Sequence, residues 1–280
     1  MKTIDGRAIA AELGEDVKAG VDRLRAAGVE TTLAVVVPTA DESTAWYVRS
    51  LERTAQRLGI RFLVQPLSEP SPEELSAVLT ALSSRPDVHG VVCQTPLPEG
   101  VTPEHVGPYI AYEKDVDGAN PLSAGRLAAG LSAFAPATAA AVLTILKHEG
   151  VPLTGATAVV VGRSTVVGKP AAVLLTAQDA TVTLAHSRTK NLAAVCRSAD
   201  VLVVATGKPR LVGTDHVRDG AVVIDVGTNP TPDGGLVGDV AADTLQDRDV
   251  LLTPVPGGVG PVTSMVLMDQ TRRAAVRLAG

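Results

Sequence analysis

Short runs of branched apolar residues, each about as long as one β-strand, alternate along this chain with segments of helical periodicity. The runs are "TTLAVVV" (31–37), "VHGVVCQ" (88–94), "ATAVVVG" (156–162), "ADVLVVATG" (199–207) and "AVVIDVG" (221–227). A continuous apolar run of this length is typical of a strand that is buried on both faces. The alternation therefore predicts an α/β architecture in which parallel sheets are covered by helices.

The remaining elements follow from capping residues and periodicity. "SPEELSAVLTALSS" (71–84) has a serine cap and a proline at the first helical position, which predicts a helix. We predict further helices over 7–27, around Tyr47 up to Gly59, over 138–149 and over 263–280, and further strands over 60–65 and 180–186. Residues 95–130 are rich in proline and glycine and lack periodicity, which is typical of a functional loop region.

Composition excludes several classes of protein. The chain has 280 residues, 45% apolar and 20% charged, as expected for one large or two modest globular domains. A net charge of −5 argues against nucleic acid or an anionic membrane as the main partner. No apolar run reaches the length of a membrane span, and the N-terminus does not resemble a signal peptide. The unpaired Cys93 and Cys196 predict a reducing compartment, the cytoplasm, and the scattered histidines predict no metal site.

A candidate phosphate loop lies in "VVVGRSTVVGKP" (159–170). A strand runs into Gly162, and Gly168 opens the following helix, where backbone N–H groups suit a phosphate. The two glycines lie six residues apart, which is not the GxGxxG spacing, so a simple strand–helix turn is the alternative.

The end of the next strand indicates which dinucleotide would bind. In a dinucleotide-binding fold this position reaches the adenosine ribose, and NAD-binding chains usually carry an acidic residue there. This chain instead has Ser187 and Arg188, with Arg163 on the preceding loop. Hydroxyl and guanidinium groups suit a 2′-phosphate, so the sequence favours NADP. The alternative for Arg188 is an ordinary surface arginine.

Four further features are candidates for chemistry. "EKDVDGANP" (113–121) carries Asp115 and Asp117, which also fit a simple turn. Gln94 follows a buried strand, where ligands bind in open α/β folds, although it could be a capping residue. "PVPGGVGPVT" (254–263) is a stiff loop that fits either a ligand ring or a domain hinge. Tyr47 lies on an amphipathic helix and could be a half-buried aromatic residue.

Taken together and in this order, the motifs resemble those of the bifunctional methylenetetrahydrofolate dehydrogenase/cyclohydrolase (FolD) family over nearly the whole chain. Besides the phosphate loop, the resemblance is carried by "KDVDG" (114–118), "GRL" (125–127), "ATVTLAHSRT" (180–189), "ADVLVVATGKP" (199–209), "IDVGTN" (224–229), "GDV" (238–240) and "TPVPGGVGPVT" (253–263).

The family fold implies two α/β domains around a cleft, the second a Rossmann-type doubly wound parallel sheet. A discontinuous folate and catalytic domain is expected over 1–137 plus 264–280, and an NADP-binding domain over 138–263. The resemblance also implies a homodimer that pairs through the nucleotide domain.

The resemblance implies the following site residues. The catalytic residues are Tyr47, Gln94 and Asp117, with Tyr47 stacking on the folate and Asp117 binding the pterin. The cofactor-binding residues are Gly162, Arg163, Ser164, Gly168, Lys169, His186, Ser187, Arg188, Thr206, Gly207 and Thr228. The substrate-binding residues are Tyr47, Leu51, Gln94, Pro96, Leu97, Asp117, Pro256, Gly257, Gly258 and Val259. No metal is implied.

One position departs from the family in a way that bears on mechanism. The family pattern Tyr-Val-x-x-Lys places a catalytic lysine four residues after the tyrosine, and this chain has Leu51 there. Hydride transfer to NADP+ needs orientation rather than a proton on a lysine, whereas hydrolysis needs a polar group that positions or deprotonates water. We therefore predict NADP-dependent oxidation of 5,10-methylenetetrahydrofolate to 5,10-methenyltetrahydrofolate, with cyclohydrolase activity weak or absent.

Smaller departures and several alternatives accompany this prediction. "PATA" (136–139) and "PTADEST" (38–44) also differ from the family forms. A full bifunctional enzyme would need Gln94 with Lys114 or water to compensate. A repurposed paralogue in specialised metabolism would use Leu51 and Ala137 to reshape its site. A catalytically inactive subunit would bind folate or nucleotide only, and a shikimate- or glutamate-type dehydrogenase is a rival at the level of the fold.

Overall fold

The structure, a computed structural model, describes residues 1–280 apart from the side chain of Ser43. The helices are α1 (Gly6–Ala26), α2 (Glu42–Leu58), α3 (Pro72–Ser84), α4 (Pro103–Val106), α5 (Pro121–Ala128), α6 (Ala137–His148), α7 (Gly168–Thr176), α8 (Leu192–Arg197) and α9 (Val259–Leu278). The strands are β1 (Lys2–Thr3), β2 (Thr32–Val37), β3 (Arg61–Pro66), β4 (Gly90–Cys93), β5 (Thr157–Val161), β6 (Thr181–Ala185), β7 (Val201–Val204), β8 (Val222–Asp225), β9 (Asn229–Pro230), β10 (Leu236–Val237) and β11 (Leu251–Leu252).

The chain divides into two compact units. Unit 1 comprises Met1–Ala11 and Thr138–Thr263, and unit 2 comprises Glu12–Ala137 and Ser264–Gly280. The first residues belong to unit 1 because β1 pairs with β11. This differs from the expectation that residues 1–137 lie in one domain, since the pairing partner of β1 is far away in the sequence.

Unit 1 is built on a parallel sheet with the strand order β1-β11-β8-β7-β5-β6. The chain passes from β5 to β6 on one side and then returns to β7 on the other side of β5. The order therefore reverses between β5 and β7, and ligands of doubly wound sheets bind outside the carboxyl ends of the strands at such a point. The core beneath β5 and β7 is aliphatic, and includes the fully buried Val159 and Leu202.

Unit 2 contains a smaller parallel sheet with the strand order β3-β2-β4. Strand β2 is central and buried over most of its length, as its branched apolar run requires. The order reverses between β2 and β4, so the segments after these two strands, which include the start of α2 and Gln94, leave the same edge of the sheet. Leu75 and Leu79 of α3 pack with Ala34 and Val91 in the core of this unit.

The predicted fold class and most predicted elements agree with the structure. The serine cap predicted at Ser71 is present, and the structure shows it as a capping box, with Ser71 Oγ accepting from Glu74 N at 3.2 Å and Glu74 Oε2 accepting from Ser71 N at 2.9 Å. Two predictions need correction. Residues 95–130 contain α4 and α5, and the last helix begins at Val259 rather than near residue 263.

No helix in the described part of the chain is both long enough and apolar enough to cross a membrane.

Candidate active site

Helix α2 places Tyr47 at the reversal point of the unit 2 sheet. Its N-cap is Asp41, whose Oδ2 accepts from Thr44 N at 2.7 Å and from Thr44 Oγ1 at 2.9 Å. Burial and the nearby charge of Asp117 raise the pKa of Tyr47 to about 12, although a hydrogen bond with Ser264 opposes this shift. The tyrosine hydroxyl is therefore protonated at any physiological pH.

The two aspartates of "KDVDG" have different roles. Asp115 is fully buried and accepts from Ala119 N at 2.8 Å and from Asn120 N at 2.9 Å, so it stabilises the turn that follows. Asp117 accepts from Ala137 N at 3.1 Å, and burial raises its pKa to about 6. The charge of Asp117 contributes to the raised pKa of Tyr47, so the structure brings these two predicted site residues close together.

Gln94 lies directly after β4, at the same edge of the sheet, and is 9% exposed. The loop that follows it is bound to the start of α2, since Thr44 Oγ1 donates to Thr95 O at 3.1 Å. Pro96, which follows a cis peptide bond, is exposed. Leu97 instead packs against the core beside α3. A substrate contact is therefore easier to accommodate at Gln94 and Pro96 than at Leu97.

Leu51 belongs to the buried face of α2. It is 0% exposed, and the neighbouring positions on this face, Val48, Ala55 and Leu58, are also buried. Leu51 therefore has no exposed surface in this structure, and its contact with the substrate stays a prediction. Arg49 and Arg53 of the same helix are exposed, and neither is a cause of the pKa shifts of Tyr47 or Asp117.

Lys114 does not reach the residues around Tyr47. Its Nζ donates to Arg85 O at 2.5 Å, and Arg85 precedes β4. Gln94 follows the other end of this strand, and a strand rises about 3.3 Å per residue, which separates the two ends by about 13 Å. The amine of Lys114 therefore lies near the amino end of β4, at the opposite end of this strand from Gln94.

In unit 1 the predicted phosphate loop is compact and polar. A Cβ atom at Gly168 would overlap the carbonyl oxygen of Gly162, so this close backbone approach requires glycine. Ser164 Oγ accepts from Val167 N at 3.1 Å and from Gly168 N at 3.4 Å. Among the described residues, the N–H groups of Arg163, Ser164 and Val166 have no hydrogen-bond acceptor, which fits a bound phosphate.

The next strand end carries the predicted 2′-phosphate contacts. Ser187 and Arg188 are exposed after β6, and Arg163 and Lys169 are exposed on and after the phosphate loop. His186 Nδ1 accepts from Arg188 N at 3.2 Å and so shapes the turn, and its contact with the cofactor stays a prediction. These residues lie at the carboxyl ends of β5 and β6, beside the reversal point of the sheet.

The remaining predicted residues of unit 1 follow β7, β8 and β11. Thr206 and Gly207 follow β7, and their backbone N–H groups donate to Asp239 Oδ2. Thr228 is exposed after β8. In the loop over 254–263, the carbonyl oxygen of Gly258 lies so close to Gly6 that a Cβ atom at Gly6 would overlap it. Gly258 and Val259 are buried and Pro256 is exposed, so Pro256 and Gly257 are the predicted substrate contacts that remain accessible.

Sequence reasoning missed three residues that support these sites. Ser264 bonds Tyr47, and Gln270 Nε2 donates to Val116 O at 2.6 Å and to Ala135 O at 3.0 Å. Asp239 was part of the quoted "GDV" motif, but no role was predicted for it. Ser264 and Gln270 carried no local signal, because their partners are far away in the sequence.

Unit 1 has the strand order, the glycine-bounded phosphate loop and the polar strand ends that define a dinucleotide-binding α/β protein. Residues 136–279 match the family model described as "Tetrahydrofolate dehydrogenase/cyclohydrolase, NAD(P)-binding domain". Residues 4–117 match the model described as "Tetrahydrofolate dehydrogenase/cyclohydrolase, catalytic domain". The chain belongs to this family, as the resemblance predicted.

Individual relatives agree with this assignment. A protein of Parafrankia sp. (strain EAN1pec) named "Bifunctional protein FolD" is 58% identical over 275 residues, which cover 98% of this chain and 99% of the relative. The crystal structure of a bifunctional FolD from Campylobacter jejuni has a TM-score of 0.96 at 36% identity and covers 99% of both chains. A Trypanosoma brucei FolD, solved in complex with NADP and an inhibitor, has a TM-score of 0.92 at 35% identity, covering 98% of this chain and 97% of its own.

Proposed function

We propose that this protein is an NADP-dependent 5,10-methylenetetrahydrofolate dehydrogenase with weak or absent methenyltetrahydrofolate cyclohydrolase activity. The names of its relatives describe two activities, and the proposal retains the first while departing from them on the second. The observation that carries it is the fully buried, apolar Leu51 one helical turn after Tyr47.

Several observations support the dehydrogenase activity. Bound NADP+ would accept a hydride from the methylene carbon of the folate. The free N–H groups of the 163–166 loop suit its phosphates, and the exposed Arg163, Ser187 and Arg188 suit its 2′-phosphate. In unit 2, the ring of Tyr47 can stack on the pterin, and the Asp117 carboxylate can accept hydrogen bonds from pterin N–H groups. These contacts orient the reacting carbon without any proton transfer.

The same residues give little support to hydrolysis. Water must attack the cationic methenyl carbon and lose a proton, which requires a group that binds or accepts that proton. Leu51 has no polar atom. Lys114 is bonded to Arg85 O near the amino end of β4, and the charges that act on Tyr47 and Asp117 are acidic. Loss of a general base typically lowers a rate by about 10²–10⁴-fold.

A paired spectrophotometric assay tests both halves of the proposal. NADPH formation from 5,10-methylenetetrahydrofolate and decay of 5,10-methenyltetrahydrofolate would be followed in separate reactions. We expect NADPH formation, and methenyl decay close to the spontaneous rate. Methenyl decay far above that rate would instead favour the full bifunctional enzyme. Binding of NADP+ without any turnover would favour an inactive binding subunit.

The Leu51→Lys variant tests whether this position is the cause. We expect it to gain hydrolysis while oxidation is retained, with Leu51→Met as the size-matched control that gains nothing. A lysine at a buried site also lowers stability, so the folded fraction of each variant must be measured by thermal unfolding. A folded Leu51→Lys variant that gains no hydrolysis would contradict this account of the missing activity.

We also propose that the protein is a homodimer that pairs through unit 1. Strand β6 is an edge of the sheet, and Thr183 and Leu184 on it are exposed. An exposed edge strand with apolar residues is a ready surface for pairing with a second chain. Light scattering should give twice the chain mass for the wild type and for the control Leu211→Glu, and a lower mass for Leu184→Glu. A monomeric wild type would refute the proposal.

We propose a cytoplasmic location on the basis of the cysteines. Cys93 and Cys196 are both free thiols, and Cys196 is buried. Unpaired cysteines are typical of reducing compartments. Cell fractionation with an antibody against the protein would test this location.

A further inference from the structure

Two buried carboxylates, those of Asp225 and Asp239, lie among the strand ends of unit 1. Asp225 is 3% exposed and Asp239 is 0% exposed. Neither faces solvent, and neither takes a direct part in the chemistry proposed above. Buried carboxylates are costly unless hydrogen bonds compensate for the lost hydration, so their partners indicate their role.

The partners of Asp239 lie on two different loops. Its Oδ2 accepts from Thr206 N at 2.5 Å, from Thr206 Oγ1 at 2.9 Å and from Gly207 N at 2.9 Å. Its Oδ1 accepts from Asn229 Nδ2 at 2.9 Å. One side chain therefore fixes the backbone that follows β7 and ties it to Asn229, the first residue of β9.

Asp225 in turn fixes the backbone of Asp239. Its Oδ1 accepts from Gly227 N at 2.9 Å and from Asp239 N at 3.0 Å, and its Oδ2 accepts from Val240 N at 2.9 Å. Hydrogen bonds to a carboxylate are stronger than those between neutral groups. Asp225, at the end of β8, thus fixes the backbone of residues 239–240. Asp239 in turn fixes the backbone of Thr206 and Gly207, just after the end of β7.

Glycines make the fit of both carboxylates tight. A Cβ atom at Gly227 would overlap the Asp239 carboxylate, and one at Gly238 would overlap the Asp225 carboxylate. The loops therefore pack directly on the carboxylate oxygens. No flexible side chain lies between each carboxylate and the glycine that faces it. A change in either carboxylate must therefore move the backbone.

We propose that Asp239 is a positioning residue for hydride transfer, acting through the backbone of Thr206 and Gly207. This inference rests on the proposed function. Thr206 and Gly207 follow β7, next to the reversal point of the sheet, where a dinucleotide binds. With NADP+ bound, the reaction would break one C–H bond of the folate methylene carbon and form one at the nicotinamide ring, with both electrons moving together with the hydrogen. Its rate depends steeply on the distance between those carbons.

The Asp239→Asn variant separates positioning from cofactor binding. An amide has one acceptor oxygen where the carboxylate has two, and its NH2 group would face either the N–H groups of Thr206 and Gly207 or the amide of Asn229. We expect kcat for oxidation to fall by about 100-fold. The primary deuterium isotope effect on kcat, measured with deuterated methylene folate, should rise because hydride transfer becomes slower than product release.

Binding of the adenosine half of the cofactor should be unchanged in the same variant. Its contacts are expected at Arg163, Ser187 and Arg188, away from Asp239, so the Kd of 2′,5′-ADP should equal that of the wild type. The matched control is Asp243→Asn, an exposed aspartate whose partner is Arg210 at 2.7 Å, and it should leave the rate and the isotope effect unchanged.

A second pair of variants covers the case in which Asp239→Asn does not fold. Thr206→Val removes the hydroxyl that donates to Asp239 and should lower kcat by about 10-fold with a raised isotope effect. Thr206→Ser keeps the hydroxyl, so its kcat should fall clearly less than that of Thr206→Val, which is the rescue expected of a conservative variant.

Three results would overturn the inference. The first is an unchanged kcat in folded Asp239→Asn. The second is a kcat that falls only in proportion to the folded fraction of Asp239→Asn while the isotope effect stays the same. The third is an equal kcat for Thr206→Val and Thr206→Ser. Failure of the proposed function would be seen separately, as a wild type that forms no NADPH from methylene folate.

Discussion

At the scale of single residues, Tyr47 and Asp117 form a pair whose pKa values differ from those of free side chains. Burial is the main cause of both shifts, which raise the pKa of Tyr47 to about 12 and that of Asp117 to about 6. The tyrosine keeps its proton throughout the physiological range. The aspartate changes charge close to that range, and this has a measurable consequence.

The affinity for folate should depend on the charge of Asp117. A carboxylate can accept from two pterin N–H groups, and protonation turns one of its oxygens into a donor. We expect KM for methylene folate to rise as the pH falls through about 6, the raised pKa of Asp117. The Asp117→Asn variant should have a higher KM at pH 8 and no inflection near pH 6. An inflection that persists in this variant would assign the titration to another group.

The ring of Tyr47 should matter more than its hydroxyl. Stacking between aromatic rings is a property of the ring, and stacked pairs contribute about 0.5–1.5 kcal/mol beyond the area they bury. Tyr47→Ala should therefore raise KM for folate about 10-fold or more, whereas Tyr47→Phe should stay within about 3-fold of the wild type. Steady-state kinetics of both variants measures this difference. Equal losses would instead point to the hydroxyl and its bond with Ser264.

At the scale of elements, helices α2 and α3 have similar caps but different surroundings. Asp41 caps α2, whose first turn carries Thr44 and is bonded to the loop after Gln94. Ser71 caps α3 with a reciprocal capping box. The cap of α2 therefore supports the candidate site, while the cap of α3 supports the helix alone.

Removing each cap should separate stability from function. Asp41→Ala and Ser71→Ala should each lower the free energy of unfolding by about 1 kcal/mol. Only Asp41→Ala should raise KM for folate, because the start of α2 positions Tyr47. Chemical unfolding and steady-state kinetics on both variants would test this. A raised KM in Ser71→Ala would contradict the separation.

The elements that the sequence predicted correctly are those with local causes. The cap at Ser71, the glycine after α2 and the apolar run of β2 each act within a few residues. Helices α4 and α5 were missed because both are short and lie in a segment rich in proline and glycine. The start of α9 at Val259 was missed because glycines on either side of that residue indicated a loop.

At the scale of the whole molecule, two buried carboxyl groups shape the dependence of stability on pH. Burial raises the pKa of Asp225 to about 6, as it does for Asp117. A raised pKa means that the folded protein binds a proton more tightly than the unfolded chain does. The stability gained in this way is complete below about pH 4, the unfolded value, and is lost as the pH rises through about 6.

We therefore expect the free energy of unfolding to fall between about pH 4 and pH 7, with a contribution from Asp225 on the order of 3 kcal/mol. The exposed Asp87, whose partner Arg85 lowers its pKa to about 2, acts outside this interval. Urea unfolding at several pH values measures the slope. Asp225→Asn should be less stable at pH 7 and have a flatter profile. A slope as steep as that of the wild type would contradict the assignment to Asp225.

The parts of the site that sequence could not predict depend on contacts between distant segments. The pattern around Tyr47 identified Leu51, but only the structure places that side chain at 0% exposure. Lys114 was a candidate for a compensating base in the sequence, and the structure instead places its amine at Arg85 O, near the amino end of β4. The different roles of Asp115 and Asp117 likewise follow from their partners, which their shared motif does not specify.

The packing of Gly227 on Asp239 and of Gly238 on Asp225 also bears on how this chain can diverge. A larger residue at either glycine is excluded while the facing carboxylate is present, and a shorter residue at either aspartate leaves backbone N–H groups without acceptors. Each step away from the present arrangement is therefore harmful by itself. Mutational drift should leave these four positions as a block while the surrounding surface of unit 1 changes, and a library that randomises all four should return few active sequences other than the starting one.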